Sequence, residues 1–490
     1  MNIKKVIVIG SGFAGLSAAS FMAQAGHEVT ILEKNSSPGG RARKFEVDGF
    51  VFDMGPSWYW MPDVFERFFG QFGKKVEDYY TLVRLNPSYQ VIYDKNEQWN
   101  IPSSVAELGN FLEKIEQGAA HKLKLFLEEA AVKYEVGIKD LVFKPGRSLT
   151  EFMTLDFFKG LMKLDLFTSH SAHVKKYFSD PKIISLLEFP VLFLGAKPQE
   201  TPALYSLMNY ADIELGTWYP MGGMFKIVEG MVSLASTLGV KMQYNAEVNG
   251  FDIENGKIKS VKTLDNKFDC DIVISGADYH HIDQKVLPST YRNYSSKYWN
   301  KRTMAPSSLI FYLGISKKLK GLQHHNLFFD EDFAQHAVEI YDQPQWPSKP
   351  LFYVSCPSIT DSSVAPAGME NLFILIPVAP DIEDTEELRE KYFNIVMNRL
   401  ESLTEQSIKP NIVFKKSYAH KNFIEDYNSF KGNAYGLANT LKQTAILKPS
   451  LKSKKLSNLY FTGQLTVPGP GVPPSLISGE VVAKEINKNN

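Results

Sequence analysis

Residues 5–34, KVIVIGSGFAGLSAASFMAQAGHEVTILEK, decide the fold. Val6–Ile9 is a β-branched run that predicts a short buried strand. Gly10-Ser11-Gly12-Phe13-Ala14-Gly15 follows as a GxGxxG turn and opens a helix expected to run through Ala25. Gly26 ends that helix, and Val29–Leu32 predicts a second strand. The three glycines have separate tasks. Gly10 permits the tight turn, Gly12 lets the backbone approach a pyrophosphate, and Gly15 lets the helix pack on the strand. Phe13 and Ala14 open the helix, whose first N–H groups and positive dipole end suit phosphate. Glu33 closes the second strand, 18 residues past Gly15, and Lys34 follows it. A carboxylate there can accept from ribose hydroxyls, which favours an adenosine ribose without a 2′-phosphate. The plainer alternative is a surface carboxylate after a glycine-rich turn.

Downstream come Pro38-Gly39-Gly40-Arg41 and then Asp53-Met54-Gly55-Pro56-Ser57. A nicotinamide domain has no need of a Gly-Gly-Arg loop at this place. The combination resembles the amine-oxidase and carotenoid-desaturase superfamily of FAD flavoproteins. The resemblance implies an α/β chain with a Rossmann-like FAD-binding domain of the three-layer ββα type. An α+β substrate domain would be interleaved with it, in a monoamine-oxidase-like architecture. It also implies that Gly40 gives backbone room at the pyrophosphate, that Arg41 contacts phosphate or stacks nearby, and that Gly55, Pro56 and Ser57 run close to the flavin.

The likeness continues along the chain. Gly216-Thr217-Trp218-Tyr219-Pro220-Met221-Gly222-Gly223 looks like the family's GxWxPxGG loop. An amphipathic helix follows, with Met224, Ile227, Val228, Met231 and Leu234 on one face. Lys241–Tyr244, Glu247–Ile253 and Ile258–Thr263 are strand-like, and Asn255-Gly256 predicts a hairpin turn between the last two. In the family the first of these strands rejoins the dinucleotide sheet, and Val248 would meet adenine through its backbone. Ile272-Val273-Ile274-Ser275 looks like a further strand of that sheet. Near the C-terminus, Asn458–Gly463 is a strand ending in glycine. Many members carry an aspartate after that glycine, and here Gln464 stands there, as is common among carotenoid desaturases. Gly471, Val472 and Pro473 are expected at the flavin, where the helix opening near Val472 to Ser475 would aim N–H groups at it. Residues 1–75, 215–300 and 450–490 would then form the cofactor domain, and 76–214 with 301–449 the substrate domain.

Over nearly its full length the chain resembles bacterial-type phytoene desaturases. The sequence CPSITDSS, Cys356–Ser363, with Ala365-Pro366-Ala367-Gly368, is the most telling stretch, expected to shape a sheet edge and turn. The resemblance implies that phytoene is desaturated towards lycopene. A hydride would leave an allylic carbon for the flavin, which oxygen or a membrane quinone would reoxidise. Phytoene has no polar handle, so its site must be a long apolar tunnel. Burying on the order of 800 Å² at about 25 cal/mol per Å² gives roughly 20 kcal/mol relative to water. The substrate starts in lipid, however, so that gain nearly vanishes and loading must occur at a membrane surface. A cytoplasmic, peripherally membrane-associated enzyme is expected. Residues 148–167, opened by a Ser148–Glu151 capping box, could dock on the membrane or cap the tunnel, and Leu186–Leu194 could line it. Alternatives are a later-step carotenoid desaturase, a carotenoid isomerase, an amine oxidase and a flavin-free isoprenoid-binding protein akin to Rab escort proteins.

Composition agrees with this picture. A hydrophobic fraction of 44% is that of a globular chain, and Lys+Arg equals Asp+Glu at 54 each, which gives no reason to expect a nucleic-acid partner. Cys270 and Cys356 form no metal-spaced pair, so no metal site is expected and two buried thiols are the simplest outcome. Lys4-Lys5 before an uncharged run imitates a secretory signal, but the division into strand, turn and helix has a structural cause. No catalytic base can be named, and Glu151 is only a guess. His324-His325 in a polar stretch is expected to be solvated, and His280-His281 to open a helix.

Overall fold

A computed structural model describes residues 2–139, 141–148, 168–440 and 443–488. The opening motif folds as its pattern demands. Strand β1 (Lys5–Ile9) leads into helix α1 (Phe13–Gln24) and strand β2 (Glu28–Leu32). Gly26, just beyond the helix, has φ +87°, a conformation a side chain would resist. The expected helix thus ends one residue early, at Gln24.

A five-stranded parallel sheet forms around this unit. Its order is Leu459–Phe461, Ile272–Ser275, β1, β2, Lys241–Gln243. Val6 stands opposite Ile272 on one side and Val29 on the other. One face of the sheet is covered by α1, α2 (Phe225–Thr237) and α3 (Val472–Lys488) through a core that includes Val6, Val8, Ile31, Ile227, Met231 and Val482. Helices α1 and α3 touch at backbone distance. A Cβ on Gly479 would sit 2.4 Å from the Ala14 carbonyl oxygen. The other face is covered by an antiparallel sheet of Gly250–Glu254, Lys257–Lys262 and Lys267–Asp269, packed through Ile7, Ile9, Phe251, Ile258 and Val273. Asn255 and Gly256 join its first two strands with φ +49° and +70°, as a type I′ hairpin requires. The first of these strands starts at Gly250 rather than Glu247, and Ala246 N–H before it is tied to the Glu33 carbonyl.

The second body is a seven-stranded mixed sheet, ordered Ile412–Tyr418, Ser307–Ile315, Glu370–Val378, Phe352–Ser355, His325–Phe328, Tyr89–Ile92, Gln98–Ile101. Side chains alternate across it. Leu309, Phe311 and Leu313 pack against the helix Glu386–Thr404, while Ile310 and Tyr312 face the opposite way, into a core that includes Phe52, Met54 and Phe373. Two expectations fail here. The strand preceding CPSITDSS is not at an edge: Phe352–Ser355 is paired on both sides, with Glu370–Val378 and His325–Phe328. The paired histidines are not solvated either. His324 and His325 are 4% and 0% exposed, because His325 begins an interior strand and His324 leads directly into it. Residues 149–167, which hold most of the suggested docking element and Glu151, lie outside the described residues.

Cys270 and Cys356 are free, buried thiols. Among the described residues no helix is long and apolar enough to cross a membrane, and no group of His, Cys, Asp or Glu could hold a metal ion.

Candidate functional site

A single cavity of about 480 Å³ runs from the start of α1 to the inner face of the seven-stranded sheet. Of the site residues read from the sequence, Gly10, Gly12, Phe13, Ala14, Glu33, Lys34, Gly40, Arg41, Gly55, Pro56, Ser57, Val248, Gly463, Gln464, Gly471, Val472 and Pro473 all line it. Gly15 does not. A Cβ there would lie 2.0 Å from the Gly10 carbonyl oxygen, so Gly15 acts by letting α1 close on β1.

One end of the cavity is a backbone cradle. Gly10, at φ +91°, turns the chain sharply and donates to the Leu32 carbonyl at 2.8 Å. The Gly-Gly-Arg loop is drawn against this turn by Gly39 N–H on the Ser11 carbonyl, at 3.0 Å. Gly12 and Gly40 then face each other with bare Cα atoms; a Cβ on Gly40 would be 3.3 Å from the Gly12 Cα. The first N–H groups of α1 have no intrahelical partner and open on this slot.

Glu33 is 5% exposed and ringed by donors. Its Oε2 accepts from Ser11 N–H and Oγ at 2.8 and 2.6 Å, and its Oε1 from Asn35 N–H and Nδ2 at 2.9 and 3.1 Å. Two of the four are rotatable side-chain donors that a vicinal diol can replace. Lys34 reaches across to the Glu425 carbonyl at 2.6 Å and pairs with Glu247 at 3.4 Å.

Arg41 is the buried cation of this end. Its guanidinium donates to Ser429 Oγ at 3.1 Å and sits 5.2 Å from the Tyr427 ring. With its amide oxygen turned inwards, Gln464 accepts from both Nη atoms at 2.9 and 3.2 Å. Nε has no hydrogen-bond partner among the described residues. Burial lowers the pKa of Arg41, nearby Asp278 works against that, and the group stays charged. Burial likewise pushes Asp278 up to about 6. A desolvated cation with an unused donor, beside a cradle of free N–H groups, fits a bound pyrophosphate.

The start of α3 departs from expectation. Pro473 and Pro474 have no N–H, and Ser475 N–H is spent on the Gly471 carbonyl at 3.0 Å. Val472 is therefore the donor this turn can offer a ligand.

The other end is built from side chains. Trp58, Phe189, Leu327, Phe329, Phe352 and Leu375 line it, with the hydroxyls of Tyr341, Tyr353 and Tyr435 interspersed. Leu186 is buried but is not part of the lining, whereas Phe189 is.

Several residues that position these walls were not legible in the sequence. Asp53 accepts from Met224 and Phe225 N–H at 2.7 and 2.9 Å, which caps α2 and fixes the Gly55–Ser57 segment to it. Burial raises its pKa to about 6. Asp361, in the CPSITDSS stretch, accepts from Gly222 N–H at 2.6 Å and so ties that stretch to the GxWxPxGG loop. Asp212, raised to about 7 by burial, accepts from Tyr89 at 2.8 Å and from Thr217, whose hydroxyl takes the Trp60 N–H at 2.8 Å. Both Asp53 and Asp361 lie in motifs that the sequence singled out, but nothing local indicated which backbone they would hold.

A parallel sheet with a glycine cradle, an acid after β2 and an apolar chamber beyond defines a flavin-dependent oxidoreductase. Residues 13–487 match the model of the flavin-containing amine oxidoreductases. The chain is 40% identical to a carotenoid 3,4-desaturase of Haloarcula japonica over 98% of this chain and 97% of that one. It is 30% identical to a zeta-carotene-forming phytoene desaturase of Myxococcus xanthus, over 99% and 94%. A solved putrescine oxidase variant superposes with a TM-score of 0.64 at 14% identity, covering 99% of each chain. The chain belongs to the carotenoid-desaturase branch of the flavin-containing amine oxidoreductase family, with the monoamine-oxidase-like α/β fold, and its cofactor is FAD.

Proposed function

We propose that this chain uses FAD to introduce a double bond into a linear carotenoid. The observation that carries the reading is the continuity of one cavity, from a phosphate-suited backbone cradle to an aromatic and aliphatic chamber. FAD, when bound, takes a hydride from a carbon of the substrate. The chain would hold it in three places. Gly10, Gly12, Phe13, Ala14, Gly40 and Arg41 would receive the pyrophosphate. Glu33 would take the adenosine ribose in place of the Ser11 and Asn35 side chains, with Lys34 and Val248 beside it. Gly55, Pro56, Ser57, Gly463, Gln464, Gly471, Val472 and Pro473 would border the flavin half, and Gly15 would keep α1 seated. Residues 1–75, 215–300 and 450–490 would carry the cofactor, and 76–214 with 301–449 the substrate.

We favour a late step, at the 3,4 bond near one end of a carotenoid, because the relative that performs it is 40% identical. Desaturation of phytoene towards lycopene is the second reading, supported by relatives at 30% and 32% named as phytoene-type desaturases. In either case the substrate comes from lipid, so the protein would load at a membrane surface and pass electrons to oxygen or a quinone. The test is to supply the purified protein with FAD in liposomes holding either phytoene or lycopene and to read the product spectrum. A longer-wavelength product from lycopene and none from phytoene supports the late step; amine turnover with neither carotenoid consumed would overturn the proposal. A companion variant, Glu33→Ala, should lose at least tenfold in FAD affinity, about 1.4 kcal/mol, read as flavin retained after gel filtration.

A further inference from the structure

We propose that Tyr353, backed by His325, receives the proton that leaves the substrate carbon. The inference rests on the desaturase reading above, which requires both a hydride and a proton to depart.

The cavity lining narrows the choice. Among the described residues its carboxylates, Glu33, Glu247, Asp278 and Asp426, are all at the cradle end and all engaged. Glu33 has four donors, Glu247 pairs with Lys34, Asp278 holds the N–H groups of His281 and Phe430, and Asp426 pairs with Arg43. At the apolar end, His336 lines the cavity but has no basic lone pair to offer. Its Nδ1 accepts from Leu351 N–H at 2.8 Å, so Nε2 carries the hydrogen and lies 3.1 Å from the Pro377 carbonyl. Among the described residues, neither Tyr341 nor Tyr435 has an imidazole or carboxylate on its hydroxyl.

Tyr353 does. Its Oη is 2.6 Å from Nδ1 of His325. The imidazole is 0% exposed and lies flat on the Trp58 indole, with centroids 4.1 Å apart and planes within 11°. Unlike His336, it keeps one nitrogen, Nε2, without a partner among the described residues. The hydroxyls of Ser355, in the same strand, and of Ser57, on the segment proposed to border the flavin, both reach the Tyr353 hydroxyl. The phenol therefore stands where the cofactor end and the apolar chamber meet.

The chemistry asks little of the base. Hydride loss leaves an allylic cation, whose adjacent C–H is a strong acid. The electron pair of that C–H becomes the second bond of the alkene. Its proton passes to a lone pair of Tyr353 Oη, and the phenolic proton passes to Nδ1 of His325. The two electrons have already gone with the hydride to the FAD of the family's known chemistry. The imidazolium so formed is held in an apolar site that disfavours charge, so the proton returns through Tyr353 to water that enters as product leaves. The relay needs the tautomer with hydrogen on Nε2 and a bare Nδ1.

Two measurements test this. In the cofactor-free protein labelled with ¹⁵N-histidine, the Nδ1 shift of His325 should be that of an unprotonated nitrogen; a protonated Nδ1 overturns the relay. In the FAD-loaded enzyme, Tyr353→Phe should lower kcat by about 100-fold, with KM within about twofold and the flavin spectrum unchanged. His325→Asn can still accept from the Tyr353 hydroxyl but cannot take its proton, so it should lose as much. If His325→Asn turns over like the wild type, His325 only orients Tyr353 and the proposal falls. If either variant fails to fold, fluorotyrosine at position 353 keeps the shape and changes only the acidity; an unchanged rate overturns the proposal. A wild-type protein that consumes no carotenoid sinks the desaturase reading itself, which is a separate outcome.

Discussion

The two ends of the cavity are made of different parts of the polypeptide. At the cradle, Gly10, Gly12 and Gly40 present bare backbone, and the stretch between Ile9 and Ala42 gives more of the lining than any other. At the far end the lining is side chain: Leu327, Tyr353 and Leu375 come from three strands of the seven-stranded sheet, and Phe189 from a separate helical segment. Backbone recognition suits a ligand that never varies, since phosphate needs N–H groups and room. Side-chain recognition suits an apolar ligand, whose length and end group can be refitted by single substitutions without disturbing the cradle. The comparison predicts that changes at the two ends separate cleanly into cofactor loss and substrate loss.

The largest expected effect breaks the cradle's foundation. Gly15→Val would drive a side chain to within 2.0 Å of a backbone oxygen that cannot yield. Overpacking of this kind costs about 3 kcal/mol or more, and failure to recover folded protein, read by circular dichroism, is the expected result. Gly12→Val should behave differently. Gly12 has φ −70°, and its nearest neighbour to a new Cβ is 4.0 Å away. The variant should fold with stability within about 1 kcal/mol of wild type and yet lose at least tenfold in FAD affinity, because the slot is filled. If both variants lose the fold, or both keep FAD, the distinction between packing glycine and ligand glycine is wrong.

How much of this was legible in the sequence follows the same division. The cradle could be read because its logic is local: Gly10, Gly12, Gly15 and Glu33 lie within one strand-turn-helix-strand unit, and each residue type answers a backbone requirement. The Asn255-Gly256 turn could be read for the same reason. The far end could not, since its members meet only through the pairing of distant strands. His324 and His325 show the difficulty. In sequence they sit beside Gln323 and Asn326 and look polar. In the fold successive strand residues point to opposite faces. His324 turns to Tyr219 and Thr360, while His325 turns to Trp58 and Tyr353. Only the strand order puts that second set together.

At the apolar end, Leu375→Trp should fill part of the chamber without reaching the cradle. Leu375 is half-buried, opposite Ile310 and Tyr353 in neighbouring strands. The variant should keep its flavin absorbance while turnover of a carotenoid in liposomes falls more than tenfold, about 1.4 kcal/mol. Loss of flavin from this variant would mean that the two ends are coupled.

Asp53 gives the smallest and most specific test, since it stands between the ends, capping α2 and leading into Gly55–Ser57. Burial lifts its pKa from 3.8 to about 6, against the pull of the Met224 and Phe225 N–H groups and of Lys44, while Glu229 adds to the lift. A carboxyl whose folded pKa is raised contributes stability that is fully present below the unfolded value and lost as pH rises through the folded one. The window is therefore roughly pH 4 to 6, and a shift of about two units corresponds to about 3 kcal/mol at most. Asn at this position does not titrate; its one amide oxygen accepts from one of the two N–H groups, and that loss lowers the whole profile without changing its slope. In urea unfolding, the stability of wild type relative to Asp53→Asn should fall as pH rises from 4.5 to 7.5. Parallel pH profiles would mean that Asp53 is hydrated and that the junction between α2 and the Gly55–Ser57 segment is open to water.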